Sequence, residues 1–61
     1  MIAMYMSFID SEDDREKFEI IYHEYRKRMV SVAYSILHNS EDAEDAVHET
    51  FIRIAKNMKA I

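Results

Sequence analysis

Few side chains in this 61-residue chain could do chemistry, and the three histidines come first. His48-Glu49 opens like a zinc-protease helix, in which a second histidine four residues after the first completes the ligand pair. Position 52 holds Ile52, so that motif fails. Glu44 and His48 are four apart and could hold one side of a metal, but two ligands do not make a site. Pairs so spaced more often form surface hydrogen bonds on a helix. His23 and His38 stand off the main apolar stripe and read as solvent-facing. Adjacent acids such as Glu44 and Asp45 point in different directions on a helix, so they form no catalytic dyad. The sequence has no cysteine and no glycine. Thiolate chemistry and glycine-rich phosphate loops are therefore excluded. The expectation is a non-enzyme with no catalytic residue, no metal and no cofactor.

What remains is binding, and it concentrates in the stretch from Asn39 to Lys56. At 3.6 residues per turn this is a helix with two faces. Ala43, Ala46, Val47, Thr50, Ile54, Met58 and Ile61 fall in one apolar stripe, with Phe51 at its edge. The opposite side carries Asp45, His48, Glu49, Ile52 and Lys56. Ile52 stands out there as an aliphatic ringed by charge, the pattern of an apolar anchor inside a polar rim. Single surface hydrophobes are also common and need no explanation, so the pattern is a candidate site rather than a proof of one.

The elements that must position this face follow from composition. One short domain is all that 61 residues allow, and a chain this size buries only about 60% of its unfolded surface. No disulfide can compensate. The absence of both glycine and proline disfavours sharp hairpin turns and favours an all-α chain with simple connections. The formal net charge of −4 lacks the electrostatic footprint of an autonomous nucleic-acid binder. Arg26, Lys27 and Arg28 are a local basic cluster, read as solvated helix surface. No apolar run approaches the roughly 20 residues that span a membrane.

Residues 1–10 (MIAMYMSFID) read as an apolar leader, either draped over the helices or loose. Ile2, Met4, Met6 and Phe8 alternate, but the segment is too short to distinguish strand from helix. Ser11 with Asp14 three positions on, and acids around them, marks a helix start. From there the expectation is an antiparallel helical hairpin within residues 11–61: a long helix over about 12–38 and a second over about 41–60. Phe18, Ile21, Tyr22, Tyr25, Met29, Val32, Ala33 and Ile36 form the core stripe of the long helix, with Glu24 and Arg28 spaced as a supporting pair. Val30, Tyr34 and Leu37 make a second apolar line, which implies a further neighbour or self-association. His38-Asn39-Ser40 is the break, with asparagine suited to the left-handed turn and Ser40 or Asn39 suited to capping the next helix.

The run Asp42-Ala43-Glu44-Asp45-Ala46-Val47-His48-Glu49-Thr50-Phe51-Ile52-Arg53 closely resembles the signature of bacterial RNA polymerase sigma factors of the extracytoplasmic-function type, in region two. The helix from Phe18 to Leu37 resembles the one that precedes it in that family. The resemblance covers roughly Phe18 to Ile61. It implies an incomplete three- or four-helix region-two domain in the cytoplasm, whose second helix docks on the coiled coil of the polymerase β′ clamp. Asp45, His48 and Glu49 would be the contacts, with histidine where the family has glutamine. An anti-sigma factor is a second implied partner. The promoter-reading segments of the family have no counterpart before Ile61, so DNA contact is expected only through segments absent from this sequence. The alternative is a small self-associating helical interaction module without a transcriptional role.

Overall fold

The computed structural model describes residues 2–60. Three helices and a closing turn make up the chain: α1, Ile2–Met6; α2, Glu12–Leu37; α3, Ser40–Lys56; and a 3-10 turn, Met58–Ala60. No strand occurs among the described residues. The molecule measures 36 × 20 × 17 Å, and its long dimension is that of α2 itself, about 39 Å at 1.5 Å per residue.

The two long helices form because both ends of each are satisfied. Ser11 caps α2, its Oγ accepting from the Asp14 amide at 3.4 Å. Glu12, Asp13 and Asp14 fill the first turn, where negative charge suits the helix dipole. At the other end His38 takes the left-handed conformation (φ 56°, ψ 27°), and its amide donates to the Tyr34 carbonyl at 2.8 Å. Asn39 therefore does not make the left-handed turn. It is extended and caps α3, with Oδ1 accepting from the Asp42 amide at 3.0 Å. An asparagine can serve only one of these tasks, and here capping takes it. The two-residue break folds α3 back antiparallel to α2, so that Phe18 and Tyr22 meet Phe51 while Arg26 meets Glu44.

The second helix ends at Lys56 rather than near 60. Asn57 closes it, its amide donating to the Arg53 and Ile54 carbonyls at 3.1 Å and its Nδ2 to the Arg53 carbonyl at 2.8 Å. The chain then tightens into the 3-10 turn, which tucks Met58 into the core. Ile61, expected in the apolar stripe, lies outside the described residues, as does Met1.

The core is aromatic. Phe18 and Phe51 are fully buried, with ring centroids 5.9 Å apart in an edge-on arrangement at 80°. Tyr5 joins them at 5.5 Å from Phe18 and 5.8 Å from Phe51. Thus residues 2–9 are not a loose leader: α1 and the turn after it insert Tyr5 and Ile9, each 3% exposed, between the two long helices. The Arg15 Nε donates to the Ile9 carbonyl at 2.9 Å and fastens the end of this segment.

Several expected core positions are corrected. Val32 and Ile36 are 55% and 70% exposed, and Tyr25 and Thr50 are exposed as well. Ile21, Tyr22, Met29, Ala33, Ala46 and Ile54 are only partly buried. The stripe on α2 is wider than one helix can cover. Ala43 and Val47 bring α3 close to α2, and α1 covers one flank of the hairpin. The other flank stays open as an apolar groove between Val32, Ile36, Ala46 and Thr50. Thr50 turns its Oγ1 back to the Ala46 carbonyl at 2.9 Å, a local bond that replaces burial. In the second apolar line, Val30 packs on the core while Tyr34 and Leu37 stay exposed. The expected Glu24–Arg28 pair does not form. The ion pairs among the described residues are Arg26–Glu44 at 3.2 Å and Lys59–Asp10 at 3.4 Å.

Candidate functional site

The α3 helix presents its nominated residues in two groups. Asp45 and Glu49 are one turn apart and exposed. Neither takes part in the ion pairs among the described residues, so both carboxylates are free to meet cations of a partner. The acids of the first turn, Glu41 and Asp42, continue the same negative end. Arg53 and Lys56 occupy the last turn, so charge changes sign along the helix.

The second group is held from within. The His48 imidazole is partly buried, with Nδ1 2.6 Å from the Tyr5 hydroxyl and the two rings 5.3 Å apart. With Nδ1 unprotonated, the tyrosine donates and Nε2 carries the ring proton. Ile52 is corrected from a lone exposed anchor to a partly buried side chain packed against the core cluster. The periodic reading put it opposite the stripe, but α1 adds a second wall of core on that side. Lys56 is exposed and sets its ammonium 5.1 Å from the centre of the Phe8 ring. The structure therefore brings Tyr5 and Phe8 of the N-terminal segment to the same helix edge as His48, Ile52 and Lys56.

The sequence reading missed Tyr5, Ile9 and Ala55 as core. Its signal was present: Ile2, Tyr5, Met6 and Ile9 follow a helical period, hidden by the alternation of Met4, Met6 and Phe8. Ala55 continues the four-residue line of Val47 and Phe51.

Glu44 and His48 do not act together on a cation, because Glu44 is engaged by Arg26 and His48 by Tyr5. No group of three or more His, Asp or Glu able to hold a metal occurs among the described residues. No helix among them is long and apolar enough to cross a membrane. Burial raises the Tyr5 pKa above its ordinary 10.0, with Tyr22 adding to the shift and Arg26 opposing it. The phenol thus holds its proton more firmly than a free tyrosine does.

Residues 21–61 match the family model for Sigma-70 region 2. The chain belongs to that family: it carries region two of a sigma factor, an all-α domain that acts in transcription initiation and binds the RNA polymerase core. That region is a regulatory domain rather than a catalytic one. No curated protein and no solved structure gives a match. The match begins at Ile21, so α1 and the first turns of α2 lie outside it.

Proposed function

We propose that the domain is region two of a sigma factor of the extracytoplasmic-function type. On this reading the outer face of α3 docks on the β′ clamp coiled coil in the cytoplasm. The run from Asp42 to Arg53 supports the subfamily. The docking face is carried by one observation: Asp45 and Glu49 are exposed, one turn apart and free of ion pairs within the described chain. Carboxylates so placed meet arginines as charge-assisted hydrogen bonds, stronger than neutral ones. Ile52 gives the apolar edge beside them, and His48 takes the place of the family's glutamine. An anti-sigma protein that covered this face would compete with polymerase.

Titration of Asp45→Lys and Glu49→Lys against an isolated clamp coiled coil tests the reading. Each substitution should weaken binding about tenfold or more and leave the helical circular dichroism unchanged. Parental affinity in both variants would remove α3 from the interface.

A further inference from the structure

The open groove between α2 and α3 has one wall that projects and one that recedes. Val32 and Ile36 stand exposed on the α2 wall. Ala46 and Thr50, both short, line the α3 wall. A surface with aliphatic side chains beside a shallow recess can interlock with a copy of itself.

Its two ends differ in charge. Arg28 lines one end of the α2 wall and Ile36 the other. Because α2 and α3 run antiparallel, the Arg28 end is also the Thr50 end, and the Ile36 end is the Ala46 end. Arg53, three residues after Thr50, adds a second cation at the first end. Asp42, one turn before Ala46, places a carboxylate at the second. Arg28, Asp42 and Arg53 are exposed and take no part in the ion pairs among the described residues. The groove is thus apolar along its middle, basic at one end and acidic at the other.

We propose that this groove is a homodimer interface, on which a second copy of the chain packs its own groove face to face. The two-fold axis lies in the interface, perpendicular to α2. The two α2 helices then run antiparallel, and Val32 and Ile36 of both copies share one apolar centre with Ala46 and Thr50. Two hairpins joined in this way make a four-helix bundle. The basic end of each groove meets the acidic end of the other, and the same pairs form twice, as an isologous contact requires. A two-fold axis along the helices would instead set Arg28 against Arg28 and Asp42 against Asp42. Exposed ion pairs add little affinity, but like charges brought together are costly, so the ends select the arrangement. Asp45 and Glu49 do not line the groove, and the inference does not rest on polymerase docking.

Sedimentation equilibrium of the 61-residue chain tests the proposal. The parent should dimerise reversibly. Arg28→Glu and Asp42→Lys should each weaken the dimer about tenfold, because each sets like charges together twice. An equimolar mixture of these two variants should dimerise as tightly as the parent, since the mixed dimer restores both opposite-charge pairs. Lys27→Glu makes the same change of net charge one residue away from the groove and should leave the dimer intact. Circular dichroism accompanies Asp42→Lys, which alters the first turn of α3. If helicity falls, the comparison of Arg28→Glu with Lys27→Glu decides. A parent that stays monomeric at millimolar concentration would leave the groove to a different protein and overturn the proposal. Parental association in Arg28→Glu, or a mixture of fully helical variants no tighter than its components, would overturn it as well.

Discussion

The Tyr5 hydroxyl lies 2.6 Å from Nδ1 of His48, joining residues 43 positions apart and binding α1 to α3. The tyrosine ring does a separate job, packing on Phe18, Tyr22 and Phe51 at centroid distances of 5.5, 5.6 and 5.8 Å. The two contributions can be separated. Tyr5→Phe keeps the ring and should cost about 0.5–1.5 kcal/mol, the net worth of one hydrogen bond. Tyr5→Ala should cost about 3–5 kcal/mol by opening the core. Urea unfolding of both variants measures the difference, and equal costs would mean that the ring does not share the core.

The raised pKa of Tyr5 gives stability an alkaline limit. As pH rises past 10.0, the unfolded chain loses the phenolic proton before the folded one does. The unfolded state then binds fewer protons, so stability falls with pH until the folded phenol ionises as well. The full contribution is present below the unfolded pKa and is lost on passing through the folded one. Melting temperatures between pH 8 and pH 11 should fall more steeply in the parent than in Tyr5→Phe. Parallel curves would assign the alkaline loss to other groups.

The core centres on Phe51 and leaves the flank near Val32 and Ile36 open. Phe51→Ala should remove about 3–5 kcal/mol and leave a chain this small largely unfolded. Val32→Ser and Ile36→Ser should each stay within about 0.5 kcal/mol, as surface substitutions do. Circular dichroism during thermal melting distinguishes the two groups. A large loss from Ile36→Ser would mean that the groove is closed in solution.

An open apolar flank has a consequence at high concentration. The parent chain should self-associate, with a melting temperature that rises with protein concentration. Val32→Ser and Ile36→Ser should shift sedimentation towards the monomer, whereas Glu49→Lys should not. A monomeric parent with a concentration-independent midpoint would refute the association.

The turn at His38 holds a non-glycine residue at φ 56°, a conformation that costs side chains with a Cβ about 1–2 kcal/mol. His38→Gly should stabilise the chain by about 0.5–1 kcal/mol after the greater freedom of glycine in the unfolded state is deducted. Chemical denaturation measures it, and a loss of stability would show that the imidazole is needed where it stands.

Much of this protein is local, and the sequence determined those parts by itself. The missing glycine and proline, the caps at Ser11 and Asn39, and the 3.6-residue stripes define two helices joined at His38-Asn39. Each feature depends on neighbours within a turn or two. The run from Asp42 to Arg53, within the stretch that matches the family model, was likewise legible because it is a pattern along one helix. Tertiary structure decided which part of each stripe is core. A periodic pattern gives a direction from the helix axis, whereas burial depends on how many neighbours stand in that direction. Val32 and Ile36 lie in the stripe but have no neighbour on their flank. Ile52, opposite it, acquires one when α1 folds over that edge. The position of α1 rests on long-range contacts of Tyr5 with Phe18, His48 and Phe51. Helical spacing in residues 2–9 suggests which side of the segment is buried, but only packing determines which helix receives it.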